Sequence, residues 1–188
     1  MARGKLVVIS APSGAGKTTI ARAILDAHPT LRFSVSATTR PVRDGEIDGR
    51  DYFFLTREEF LRRIGAGEFV EWEEIYGNLY GTLHREVDRA LDEGRHILFD
   101  IDVKGGISVR KAYPESLLIF IRPPSLQTLN ERLRNRKTES DAAVSQRMAR
   151  APLELELGAQ FDHQVVNDDL PRAVAEVNTI VSRYLQIN

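Results

Sequence analysis

Eight residues near the start of the chain, Ala11-Pro12-Ser13-Gly14-Ala15-Gly16-Lys17-Thr18, have the types and spacing that bind a phosphate chain. Gly14 and Gly16 give the backbone the freedom to curl, so that several N–H groups turn inward on one anion. A lysine directly after the second glycine supplies a point charge for β- and γ-phosphates, and the threonine after it supplies a hydroxyl ligand for Mg2+. The first glycine usual in this motif is replaced by Ala11. One added methyl group leaves such a loop intact if φ there is negative. Thr19 stands at the start of the following segment and belongs with the loop as a nucleoside triphosphate contact.

A loop of this kind works only between a strand and a helix. The apolar run Leu6-Val7-Val8-Ile9 precedes it, and residues 19–25 have helical character. The start of that helix adds unsatisfied N–H groups and a positive dipole end facing the same anion. The strand–loop–helix order therefore predicts a P-loop and a nucleoside triphosphate ligand.

The rest of the chain supplies the frame. Apolar runs at 5–10, 33–36, 95–100, 116–121 and 164–167 read as strands. Helices are expected over 17–27, closed by His28-Pro29, and over 171–185, with proline in the first turn. Buried strands alternating with helices predict a three-layer α/β/α fold with a parallel core sheet, formed by residues 1–35, 83–124 and 148–188. Two stretches do not fit it. Residues 36–82 are rich in glycine, aromatics and charge, with a helical piece at 56–64, and read as a small α+β insertion. Residues 125–147 read as a charged helix, a polar turn at 137–141 and a second helix standing off the sheet, the layout of a mobile lid.

Composition narrows the function. With 188 residues the chain is one domain with room for a proper core, and a net charge of −1 argues against a nucleic-acid binder. The absence of cysteine excludes disulfides and thiolate chemistry and fits a cytoplasmic protein. The first strand begins too early to leave room for a signal peptide, and no apolar run approaches membrane-spanning length, so no membrane partner is expected. The four histidines are scattered without metal-ligand spacing.

Asp100 and Asp102 end the apolar strand at 95–100, where ligands gather in open α/β folds. An acid there can hold Mg2+ beside Thr18. Residues 36–52 concentrate hydroxyls with Arg40 and Arg43 on either side of Pro41-Val42. By themselves these arginines fit either a solvated charged loop or a second anion site, the latter being what a phosphate acceptor requires.

Taken in order, Ser-Val-Ser-Ala-Thr-Thr-Arg-Pro-Val-Arg from Ser34, Gly-Arg-Asp-Tyr-Phe-Phe from Gly49, Gly-Glu-Phe-Val-Glu-Trp from Gly67, Tyr-Gly-Thr from Tyr80 and Asp-Ile-Asp from Asp100 resemble the guanylate kinase family, with the match running from Val7 to Leu170. The resemblance implies a P-loop core, a GMP-binding insertion and a helical lid, and transfer of the ATP γ-phosphoryl group to GMP, with dGMP as a further acceptor. It implies that Arg40, Arg43, Tyr52 and Tyr80 bind the GMP phosphate, and that Glu71, Ser36, Thr82 and Asp102, beside Asp100, form the guanine side of the site. Glu46 orients the arginines. On the donor side it implies Arg132, Arg136 and Arg147 as lid arginines over the triphosphate, and Asn167 near the ATP base. Lys17, Arg40, Arg43, Arg136 and Arg147 are then the catalytic set, and Thr18 with Asp100 the Mg2+ ligands. Lys104 stands where the family commonly has glutamine. A monomer and a homodimer are both compatible with this reading.

Two other classes share the frame. A guanylate-kinase-like interaction module would have lost catalysis, which the intact Gly-Lys-Thr and the lid arginines argue against. A P-loop kinase for AMP or a ribosyl phosphate would not need Glu71 with the Ser36/Thr82 pair.

Overall fold

The computed structural model describes residues 3–75, 77–135 and 141–186. Arg136 and positions 137–140 of the expected polar turn lie outside the described residues.

Five parallel strands form the main sheet, in the order β2-β7-β1-β8-β9. They are β1 (Leu6–Ser10), β2 (Leu31–Phe33), β7 (His96–Asp100), β8 (Leu117–Arg122) and β9 (His163–Val166). The central strand β1 is buried along its whole length, as its unbroken apolar run requires. Alternation sends its side chains to both faces. Val7 and Ile9 join Leu98, Ile119 and Val165 in one core layer. Leu6 and Val8 join Ile97, Phe99 and Phe120 in the other. The first layer is covered by α1 (Lys17–Ala27) and α7 (Leu170–Gln186), the second by α3 (His84–Asp92) and α4 (Val103–Ala112). This is the expected parallel sheet between helices.

A second sheet, β4-β3-β6-β5, comes from the glycine-rich segment. It contains β3 (Ala37–Thr38), β4 (Phe53–Phe54), β5 (Phe69–Ile75) and β6 (Asn78–Leu83), and α2 (Arg57–Gly65) covers it. Helix α2 starts where Thr56 accepts a hydrogen bond from the Glu59 N–H at 3.1 Å. Its Phe60 is fully buried and stacks on Phe69, ring centres 4.3 Å apart. The small sheet therefore has its own apolar centre, and its β5 packs against α4 of the main body.

Two elements depart from the sequence expectation. The strand expected at 33–36 lies earlier, at Leu31–Phe33, because β2 is an edge strand whose extent is set by pairing with β7 from His96 to Leu98. Helices α5 (Leu126–Arg134) and α6 (Asp141–Gly158) do not stand clear of the sheet body. Leu129, Leu133 and Val144 are buried in its first core layer, since an i, i+4 leucine pair needs cover from water.

Candidate active site

The loop after β1 curls as its glycines predict, with φ of 95° at Gly14 and 97° at Gly16. Gly16 caps α1, so the helix N-terminus opens into the loop. Neighbours hold the curl from several sides. The Leu129 and Leu133 side chains lie against Gly14 so closely that a Cβ there would be 2.9 Å from Leu133. Asn167, buried at the end of β9, donates from its side-chain amide to the Ala15 carbonyl at 2.7 Å. The Asn167 carbonyl in turn accepts from Arg132 at 2.9 Å. Arg147 of α6 donates to the Ser13 hydroxyl. Ala11 and Pro12 are buried, so the alanine in place of the usual glycine sits in the core layer.

Lys17 and Thr18 meet the end of β7. The Lys17 ammonium lies 2.5 Å from Asp100 Oδ1 and donates to the Ile101 carbonyl at 3.2 Å. The Thr18 hydroxyl donates to Asp100 Oδ2 at 3.3 Å. A hydroxyl and a carboxylate oxygen side by side at a phosphate loop suit a hard cation such as Mg2+. Among the described residues no group of three or more His, Cys, Asp or Glu side chains could hold a metal ion, so substrate oxygens would have to complete its shell.

The opposite wall comes from the small sheet. Arg40 grips both carboxylate oxygens of Glu46, at 3.0 and 2.8 Å, and Glu46 also accepts from the Arg43 N–H at 2.8 Å. This geometry holds the Glu46 carboxyl below its usual range, chiefly through the Arg40 hydrogen bonds. The Arg40 guanidinium lies 5.2 Å from the centre of the Tyr52 ring and 5.7 Å from that of Phe54. Tyr52 and Tyr80 meet edge to face, ring centres 6.3 Å apart. Arg43 is exposed.

Next to this basic and phenolic cluster lie the acids. Thr82, buried on β6, donates its hydroxyl to Glu71 on β5 at 2.7 Å, and Ser36 lies 3.5 Å from the same hydroxyl. Burial pushes the Glu71 carboxyl up to about 7, against the Thr82 hydrogen bond, and the charges of Asp102 and Glu73 push the same way. Asp102 caps α4 by accepting from the Gly105 N–H at 2.7 Å.

A single cavity of about 600 Å3 joins the two walls. Ala11, Ser13, Lys17, Asp100 and Arg147 face it from the phosphate loop and its neighbours. Ser36, Tyr52, Glu71, Tyr80 and Asp102 face it from the other side. Arg40, Glu46 and Thr82 stand behind that second wall, while Arg132 and Asn167 stand behind the phosphate loop. Thr18 and Thr19 are exposed on the first turn of α1. Sequence reasoning passed over Glu73, Arg150 and Glu154, which also line the cavity. Their signal was in the spacing: Glu73 is one strand period from Glu71, and Arg150 and Glu154 follow Arg147 at helical intervals.

A phosphate loop at the head of a parallel sheet, faced across one polar cavity by a small second sheet, defines a P-loop α/β protein. The family model for guanylate kinase matches residues 3–184. A guanylate kinase of Symbiobacterium thermophilum is 49% identical over 179 residues, covering 95% of this chain and 85% of that one. One of Rubrobacter xylanophilus is 50% identical over 183 residues, covering 97% and 96%. The crystal structure of guanylate kinase from Anaplasma phagocytophilum superposes with a TM-score of 0.72 at 32% identity, covering 99% of this chain and 88% of that one. The chain belongs to the guanylate kinase family. No helix among the described residues is long and apolar enough to cross a membrane.

Proposed function

We propose that the protein transfers the γ-phosphoryl group of ATP to GMP, giving ADP and GDP, and accepts dGMP as well. One observation carries this reading: Lys17 of the phosphate loop and the Tyr52, Tyr80, Glu71 and Asp102 side chains front the same cavity. Two phosphorylated ligands can therefore meet end to end.

On the donor side, residues 11–19 cradle the triphosphate through N–H groups and the α1 N-terminus. Lys17 leaves Asp100 for the β- and γ-phosphates. Arg132, Arg136 and Arg147 spread the charge of the transferring group. Asn167, whose side-chain amide holds the Ala15 carbonyl of the loop, lies on the adenine side. Thr18 and Asp100 would hold Mg2+, which when bound neutralises charge between the phosphates.

On the acceptor side, Arg40 and Arg43, with the Tyr52 and Tyr80 hydroxyls, neutralise the monophosphate that would otherwise repel ATP. Glu46 keeps Arg40 aimed. The Glu71 carboxylate accepts from guanine N1–H and the 2-amino group, with Asp102 beside it, and the Thr82 or Ser36 hydroxyl donates to O6. Adenine offers no donor at N1 or C2 and presents a donor where guanine has O6, so it would leave the buried carboxylate unpaired, a mismatch worth about 10⁴–10⁵-fold in discrimination. The GMP phosphate is already ionised near neutral pH, so no dedicated general base is required. Positioning and charge neutralisation supply the rate. Closing the insertion (residues 36–82) and the lid (residues 125–147) onto the core would expel water and suppress hydrolysis of ATP.

A coupled ADP-release assay with GMP, dGMP, AMP, UMP and CMP tests this. Turnover with GMP and dGMP, dependent on Mg2+ and absent with AMP, is expected. Equal turnover with AMP, or ATP binding without GMP-dependent ADP release, would overturn it.

A further inference from the structure

Helix α6 fronts the cavity with Arg147, Arg150 and Glu154. Arg147 turns to the phosphate loop. Arg150, about one turn on, turns to the acids. Its guanidinium lies 3.5 Å from Glu73 Oε1 on β5, 4.0 Å from Asp102 Oδ2 at the start of α4 and 3.7 Å from Glu154 Oε1 on its own helix. It is thus a cation bridging three separate elements. Asp102 has committed Oδ1 to capping α4, which leaves Oδ2 for Arg150. Glu73 shares a strand face with Glu71, so a hold on Glu73 fixes the strand that presents Glu71.

The charge balance agrees with the geometry. Glu71, Glu73, Asp102 and Glu154 converge on the cavity. Burial first, then mutual repulsion, pushes the Glu71 carboxyl up. Burial is also the leading upward influence on Glu73 and Glu154, and Arg150 opposes it at both. Lys104 assists at Glu73 and Lys17 at Glu154. Lys17 is committed to Asp100, and on the reading above to phosphate, so Arg150 is the counter-charge aimed at the base end.

We infer that Arg150 is a positioning residue for purine recognition: it ties α6 to Glu73 and Asp102, and so sets the acids that accept the guanine N–H donors in register with the phosphate end of the site. The inference rests on the GMP phosphorylation proposed above. It deepens that reading by making one helix serve both ends of the cavity.

Arg150 is 54% exposed along its side chain, so its replacement leaves the core intact. The test compares Arg150→Gln and Arg150→Lys with the unaltered chain, varying GMP and ATP separately from mildly acid to mildly alkaline pH. Arg150→Gln is expected to raise KM for GMP about fivefold, the size of a partly exposed ion pair. The acid limb of kcat/KM for GMP should move to higher pH, because Glu73 and Glu154 hold their protons longer without the guanidinium. KM for ATP should stay within twofold, roughly the scatter of a surface substitution. Arg150→Lys should recover most of the pH profile while KM stays raised, since an ammonium keeps the charge and loses the planar fork. An unchanged KM and acid limb for GMP in Arg150→Gln would overturn the inference, as would KM for ATP rising in step with that for GMP. If the unaltered chain does not phosphorylate GMP, the functional reading itself falls. If it does and Arg150→Gln matches it, only the role of Arg150 falls.

Discussion

Replacing Glu71 with glutamine should make the protein more stable and less active, by an amount that depends on pH. Glutamine keeps the shape of the side chain and an oxygen for the 2.7 Å hydrogen bond from Thr82. It removes a charge that burial, Asp102 and Glu73 all disfavour. The Glu71 carboxyl titrates at about 7 in the folded chain against an ordinary 4.5. A carboxyl with a higher folded-state value holds its proton more tightly when folded. Its relative stabilisation of the folded state is complete below about 4.5 and is lost as pH rises through about 7. At about 1.4 kcal/mol per pH unit, the ionised carboxylate costs the folded state at most about 3.5 kcal/mol above neutrality. Glu71→Gln escapes that cost. Its melting temperature should exceed that of the unaltered chain by up to about 10 °C at mildly alkaline pH, and the two should converge below about pH 5. Its kcat/KM for GMP should fall by about two orders of magnitude or more, because an amide cannot accept both guanine donors. Thermal melts of both proteins at the two pH values, with assays on the same samples, decide the matter. Equal melting temperatures at alkaline pH, or a gap that does not close in acid, would refute the electrostatic reasoning.

Other substitutions probe other parts of the structure. Lys17→Ala removes the ammonium paired with Asp100 and should lower kcat by about three orders of magnitude or more with an unchanged circular dichroism spectrum; near-normal turnover would remove Lys17 from the mechanism. Glu46→Ala takes away both carboxylate contacts to Arg40 and should raise KM for GMP about tenfold while KM for ATP holds, as separate titrations of the two substrates would show. Gly158→Ala puts a Cβ into the Phe120 ring and should cost about 1–3 kcal/mol in urea unfolding through overpacking, with kinetics at low temperature unaffected.

Much of this arrangement is legible in the sequence, because local rules govern it. The apolar run before Ala11, the two glycines and Gly-Lys-Thr specify a strand, a curled loop and a helix within a single stretch of chain. The strands at β1, β7 and β8 announce themselves because parallel strands buried on both faces have little but apolar residues. Edge positions carry no such signature. Only Leu31 of β2 is buried, and the strand ends at Phe33 opposite Leu98 although β7 runs on to Asp100. Asn167 reads as a contact for a nucleotide base, and no local pattern shows that its amide also donates to the Ala15 carbonyl, 152 residues away. Arg150 and Glu73 are similar. Each looks like a solvated charge on its own element, and only the packing of α6 across β5 and α4 sets them 3.5 Å apart. In α6 the helix also runs through Pro152, because the burial of Val144 and Ala151 before it and of Gly158 after it outweighs one missing backbone hydrogen bond.

The double duty of Asp102 limits how substrate preference can drift. One of its oxygens closes off a helix while the other faces Arg150 in the cavity, so most replacements that would retune the cavity also fray α4. Asparagine keeps the shape and the cap while erasing the charge, and only serine and threonine cap comparably. Lineages or engineers seeking a different purine would therefore find Glu71 the open door and position 102 nearly shut, with a single-atom swap as its narrow passage.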